Sequence, residues 1–139
     1  MPKRIKLTID GKQFEGELYE DVAPKTCKAL LESLPLEGDA THAAWSGENL
    51  YVLWNRKDIK AKFEPENQTI YGSNAELLWY MTPEIYELYI AYGQAQYRWK
   101  TGNLLANLFG RIVGDTKALQ DLGKRIQREG CKKIRITSS

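Results

Sequence analysis

The chain has 139 residues, 42% of them hydrophobic and 27% charged, with a formal net charge of +2 at pH 7. Those values fit one globular domain and exclude a disordered or low-complexity chain. The near-neutral charge argues neither for nor against a nucleic-acid partner, and no apolar run approaches the ~20 residues of a membrane-spanning helix.

Residues 3–9 alternate Arg4, Lys6, Thr8 with Ile5, Leu7, Ile9, the period of a half-buried strand. Asp10-Gly11 is a hairpin signal, and a second strand follows with Phe14, Gly16 and Leu18 on one face. Pro24 suits the first position of a helix. Cys27, Leu30, Leu31 and Leu34 give that helix one apolar stripe, and Pro35 closes it. From 39 to 113 the pattern is mostly strands: Asn49 to Trp54, Leu77 to Met81, Ile85 to Tyr92 and Asn107 to Val113. Asn55 to Tyr71 reads as a long excursion, and Thr82-Pro83-Glu84 as a turn. Asp115 is placed to cap a second helix whose apolar face is Leu119, Leu122 and Ile126, with Gly130 at its C-cap. A last strand runs from Cys131 to Thr137. Two helices among many short strands predict a mainly β fold: one closed barrel of about eight strands over 1–139, with a helix over each open end.

The opening MPKRIKLTID has no apolar signal stretch, so a cytoplasmic location is expected. Cys27 and Cys131 lie far apart with no metal-ligand spacing, and reduced, buried thiols are expected of them. One histidine and two scattered cysteines do not make a zinc site, and no phosphate-binding loop is present; no metal or cofactor is expected. Between Asp115 and Ser139 seven Lys/Arg face three Asp/Glu, which reads as a solvated helix face in preference to an anion patch.

Phe14-Glu15-Gly16-Glu17-Leu18-Tyr19-Glu20-Asp21-Val22-Ala23-Pro24-Lys25-Thr26 resembles the opening of a cyclophilin, and Phe109-Gly110-Arg111-Ile112-Val113-Gly114-Asp115 is similar to that family's strand into its second helix. Lys132-Lys133-Ile134-Arg135-Ile136 resembles its closing strand. The middle departs. Cyclophilin isomerases carry Phe-His-Arg followed by Gln-Gly-Gly, and the Arg polarises the prolyl amide. Here His42 matches the His, Ala43 stands at the Arg position, and the Gln-Gly-Gly stretch is absent. Without the guanidinium, amide rotation keeps most of its ~18–20 kcal/mol barrier, so isomerase activity is not expected. His-x-x-Trp-Ser-Gly-Glu at 42–48, Glu66-Asn67-Gln68-Thr69 and Gly102-Asn103-Leu104-Leu105-Ala106-Asn107 resemble the domain of unknown function 3830 family (DUF3830). That resemblance implies a cyclophilin-like fold and leaves the chemistry open. An opine synthase with this barrel condenses histidine with 2-oxoglutarate in a Pictet–Spengler reaction, which supplies a candidate chemistry.

His42 is the only histidine, a proton-transfer group by its ordinary pKa, and the resemblance puts it in the strand that lines the cyclophilin groove. The alternative is a rim histidine with satisfied hydrogen bonds. Glu48 stands across from His42 if Ser46-Gly47 is a turn, as its base or orienting partner; otherwise it is an exposed loop acid. Trp45 either floors a pocket or fills the barrel. Arg98, in the aromatic stretch around Tyr97, suits a bidentate grip on a substrate carboxylate. Ser46 and Asn107 complete the candidate binding residues, Asn107 alternatively bonding only a loop. The expected function is a cofactor-free acid/base enzyme on a small carboxylate-bearing metabolite, with His42 and Glu48 catalytic and Trp45, Ser46, Tyr97, Arg98 and Asn107 binding substrate. The alternative is a non-catalytic module for a small molecule or peptide. The expected partner is a small-molecule metabolite, with no nucleic acid and no membrane, and a homo-oligomer is left open.

Overall fold

Local signals set the first elements. In the computed structural model, which describes residues 2–139, β1 (Arg4–Ile9) and β2 (Lys12–Leu18) form the predicted hairpin. Asp10 and Gly11 both take positive φ, 51° and 78°, which matches the twist of the flanking strands. Ile5, Leu7 and Ile9 of β1 and Phe14 and Leu18 of β2 point into the core. Helix α1 (Pro24–Ser33) starts on Pro24 and buries Cys27 and Leu30; Leu34 lies one residue beyond it, in extended backbone.

Strand β3 (Leu36–His42) follows at once, three residues earlier than the sequence pattern implied. Its sequence, LEGDATH, buries only Leu36 and Ala40. It is a strand because its neighbour offers a ladder, since it pairs with the last strand from Leu36–Ile136 to Ala40–Lys132. After it come β4 (Gly47–Asn55), a short turn of helix at Arg56–Asp58, and the two-residue strands β5 (Gln68–Thr69) and β6 (Tyr71–Gly72). Then follow β7 (Glu76–Met81), the long β8 (Ile85–Gln96), a small hairpin of β9 (Arg98–Trp99) and β10 (Gly102–Asn103), and β11 (Ala106–Val113). Helix α2 (Thr116–Glu129) and β12 (Lys132–Ser138) end the chain. Asp115 caps α2, its carboxylate accepting from the Ala118 N–H at 3.0 Å, and Gly130 closes it at φ 99°.

The strand order is β2-β1-β12-β3-β4-β8-β7-β11, and β11 pairs back with β2, so eight antiparallel strands close a barrel. Inside, Trp79 and Tyr86 meet Phe63 from the 56–67 excursion, with Phe63 stacked on Trp79 at 4.2 Å. Helix α2 lays Leu119, Leu122 and Ile126 on the core, as its periodicity predicted. A second, smaller apolar cluster (Leu78, Tyr89, Ala91, Ala95, Tyr97, Ala106) forms apart from this core. Strand parity puts it on the outer face, since Leu77, Trp79, Leu88 and Ile90 point inward.

Cys27 is buried, and its thiol donates to the Phe109 carbonyl at 3.5 Å. Cys131 is exposed, against expectation, because it sits in the turn between Gly130 and β12. Lys117, Arg125, Lys132, Lys133 and Arg135 each meet a carboxylate, so the basic tail is largely paired. No helix of the described residues is long and apolar enough to cross a membrane.

Candidate active site

Register decides what the outer face presents. β4 and β8 align Asn49 with Ala91, Tyr51 with Tyr89 and Leu53 with Glu87. β7 and β8 align Leu78 with Tyr89 and Tyr80 with Glu87. Two cross-strand rows result, Tyr51–Tyr89–Leu78 and Leu53–Glu87–Tyr80, so one carboxylate lies in a floor of aromatic and aliphatic groups. Residues 43–46 and the β9–β10 hairpin lie together at its rim, where Trp45 meets Trp99 edge to face at 6.1 Å and the Arg98 N–H donates to Ser46 Oγ at 3.3 Å. The half-open cleft measures about 500 Å³, room for a small metabolite. Its lining also includes His42, Ser46, Asn49, Arg98 and Leu104.

Glu87 is half-buried. Burial pushes its carboxyl above the ordinary carboxylate range, opposed in part by the Tyr89 hydroxyl, which donates to Oε1 at 3.3 Å. Burial, reinforced by the Glu87 charge, raises both Tyr80 and Tyr89, so both phenols keep their protons at neutral pH. A carboxyl in this setting exchanges a proton more readily near neutrality than an ordinary surface glutamate.

His42, at the end of β3, is half-buried at the cleft margin. Its Nδ1 lies 2.9 Å from the Ala43 carbonyl and its Nε2 lies 2.7 Å from the Tyr92 hydroxyl. A carbonyl only accepts, so Nδ1 carries the proton of the neutral ring and Nε2 accepts from Tyr92. Burial raises Tyr92, with the Glu48 charge adding to it, which keeps that phenol a donor. Both nitrogens are therefore engaged inside the protein.

Glu48 departs from the sequence expectation. It does not line the cleft. Between Gly47–Ala95 and Asn49–Ala91 the ladder slips, and one residue of β4, Glu48, faces three of β8. The Glu48 carboxylate fills that gap, lying over Gly93 and accepting from the Gln94 N–H at 3.1 Å. It stands in for a missing ladder acceptor and does not bond His42.

Trp45 lies at the rim, 51% exposed, so it does not fill the barrel. Ser46 is buried, and its Oγ accepts from the Arg98 N–H at 3.3 Å. The exposed Arg98 side chain lies on the cleft without an ion-pair partner among the described residues. Tyr97 is fully buried behind the floor, stacked on Tyr89 at 4.7 Å. Asn107 is elsewhere. Fully buried on β11, it accepts from the Glu66 N–H (3.2 Å) and donates to Thr26 Oγ1 (3.0 Å) and the Glu64 carbonyl (2.8 Å). Glu66 in turn accepts from the Thr26 N–H and, at 2.8 Å, its hydroxyl. This network ties the 56–67 excursion to the first turn of α1, and it leaves Asn107 no polar atom for a ligand.

His42, Trp45, Ser46 and Arg98 thus share one cleft, whereas Glu48, Tyr97 and Asn107 support the structure around it. Glu87, Asn49, Tyr51 and Tyr80 were not singled out from the sequence, and Tyr89 and Trp99 only as members of the aromatic stretch from Tyr89 to Lys100. The available signal for Glu87 was a charge in the otherwise apolar run Ile85 to Tyr92. No cluster of His, Cys, Asp and Glu among the described residues has a metal-binding arrangement.

The fold is a closed, eight-stranded antiparallel β-barrel with two helices, and this chain carries an aromatic, carboxylate-bearing cleft on the barrel's outer face. The chain belongs to the family described as "Protein of unknown function (DUF3830)", whose model matches residues 5–138. Among solved structures it is similar to McbB in complex with tryptophan, with a TM-score of 0.71 and 18% identity over 96% of this chain. The chain spans 44% of McbB's length. It is also similar to the hypothetical protein AF2241 from Archaeoglobus fulgidus (TM-score 0.64, 16% identity, 99% of this chain and 95% of that one). A third is the mimivirus cyclophilin (TM-score 0.49, 12% identity, 98% of this chain and 87% of that one). At these identities the likeness is one of fold. Nothing among curated proteins matches the chain.

Proposed function

We propose that this chain is an acid/base enzyme acting on a small carboxylate-bearing metabolite with a planar or aromatic body, and that Glu87 is the proton-transfer group. The observation that carries the reading is the Glu87 carboxyl, raised by burial, in the same cleft as the unpaired Arg98 guanidinium. Arg98 grips the substrate carboxylate, and Tyr51, Tyr80, Tyr89, Trp45 and Trp99 pack its body. The fold match to a tryptophan-bound structure supports an amino acid or a derivative of one as ligand.

A Pictet–Spengler condensation fits this inventory. The substrate amine adds to the carbonyl carbon of a 2-oxo acid, and water leaves to give an imine. Protonated Glu87 gives its proton to the imine nitrogen. An aromatic ring carbon then attacks the imine carbon, forming the new C–C bond, and the Glu87 carboxylate removes the ring proton to restore aromaticity. No oxidant or reductant is consumed. The substrates carry the reactivity, so the protein orients them and moves two protons. His42, held from the core by the Tyr92 hydroxyl, remains a fixed polar part of the cleft margin.

The test is a mass-spectrometric screen of amines, histidine and tryptophan included, against 2-oxo acids, with wild-type protein and Glu87→Gln side by side. Conversion by the wild type and a loss of about 10²-fold or more in the variant is expected, the usual scale for a proton-transfer group. Equal conversion by both would remove Glu87 from the chemistry. A binding module without turnover is the second reading, favoured by the full engagement of both His42 nitrogens; ligands bound and recovered unchanged would establish it.

A further inference from the structure

Asn49 is 1% exposed, lines the cleft, and its Nδ2 has no hydrogen-bond partner. A buried amide N–H2 left without an acceptor is costly and rare in native structures. Its orientation is fixed from behind. The Tyr97 hydroxyl lies 3.5 Å from Asn49 Oδ1 and has no other partner, and burial keeps that phenol protonated, so it donates to Oδ1 and turns the N–H2 away. Tyr97 is held by its stack on Tyr89 and by Gly72, where an added Cβ would come within 2.2 Å of the Tyr97 oxygen.

We infer that Asn49 is a ligand-binding residue whose amide donates to a carbonyl or carboxylate oxygen of the substrate, with Tyr97 and Gly72 as its positioning residues. Asn49 lies four residues along β4 from Leu53, the partner of Glu87, a rise of about 13 Å at ordinary strand spacing. The oxygen held at Asn49 and the group that exchanges a proton with Glu87 therefore belong to opposite ends of the ligand. The substrate is elongated, with an oxygen acceptor at one end, a flat apolar middle over Tyr51 and Tyr89, and a proton-exchanging group at the other. This rests on the proposed function for the meaning of Glu87, and on geometry alone for Asn49.

Three probes separate the contributions: indole-3-propionate, its N,N-dimethylamide and 3-ethylindole, titrated by calorimetry. The amide carries the acceptor without the charge that Arg98 reads. Wild-type protein should bind the amide about 10-fold tighter than 3-ethylindole, the worth of one hydrogen bond to a buried donor. Asn49→Ala and Asn49→Asp should bring that ratio near one while thermal melting shows a folded domain. Asn49→Ala should leave the acid's advantage through Arg98 in place, and Tyr97→Phe should lower the amide ratio part of the way. A ratio unchanged in both Asn49 variants, a wild type that does not distinguish amide from hydrocarbon, or no binding of any probe would each overturn the inference. Glu87→Gln should not change the ratio, so a failure of the catalytic reading shows in turnover and a failure of this one shows in binding selectivity.

Discussion

Replacing Asn107 with alanine removes three hydrogen bonds at once. The Glu66 N–H and the Glu64 carbonyl lose their partner in a part-buried setting, and Thr26 Oγ1 loses a donor while keeping its bond to Glu66. Two part-buried backbone groups at roughly 1 kcal/mol each, with a small cavity left by the buried side chain, give a loss of about 2–3 kcal/mol. A domain of this size holds about 5–15 kcal/mol in total, so the variant should still fold. Its melting temperature should fall by about 10 °C at a few degrees per kcal/mol. Urea unfolding reads the free energy, and limited proteolysis should show faster cutting within residues 56–67, the segment the network tethers. Asn107→Asp keeps the acceptor but sets a carboxylate against the Glu64 carbonyl, so it should be no milder. A loss below about 1 kcal/mol, or an intact fold with impaired ligand binding, would refute the structural assignment of Asn107.

Glu87→Gln keeps an acceptor for the Tyr89 hydroxyl and removes a carboxylate that the fold holds above its unfolded pKa. Folding therefore disfavours the ionised form, so the variant should be the more stable one at neutral pH. That advantage should shrink as pH falls through the folded pKa and vanish below the unfolded value, which urea unfolding at several pH values will show. Gly123→Ala would bring a Cβ to 2.3 Å from the Tyr92 ring. Overpacking at roughly 1–3 kcal/mol should outweigh the ~1 kcal/mol helix-propensity gain, and the displaced Tyr92 should change the His42 ring signals in NMR. Burial pushes the Cys27 thiol up to about 12, so at pH 8 a thiol reagent should label the exposed Cys131 alone in the folded protein and both cysteines in denaturant.

What the sequence disclosed was what neighbours along the chain decide. The β1–β2 turn needs only Asp10-Gly11, and α2 needs only Asp115, its apolar stripe and Gly130, so these were legible. β3 was not, because LEGDATH has no alternation of its own and becomes a strand through the ladder β12 offers it. The same divide runs through the site. His42, Trp45 and Ser46 lie within one short motif, and Arg98 returns to it through the Ser46 hydroxyl. Glu87 and Asn49 gain meaning only once the β4–β8 register shows which side chains share the outer face. Glu48 and Asn107 were misplaced for a tertiary reason, since one fills a slip in that ladder and the other ties down a segment some forty residues away.

The proposed chemistry requires that Glu87 be a perturbed carboxyl that meets the ligand. Carbon-13 NMR titration of the glutamate side-chain carboxyls, with Glu87 assigned by its disappearance in Glu87→Gln, measures this directly. The midpoint of Glu87 should lie above those of the exposed glutamates and should move again when a carboxylate-bearing ligand occupies the cleft. A midpoint in the ordinary range, unmoved by a ligand known to bind, would contradict it.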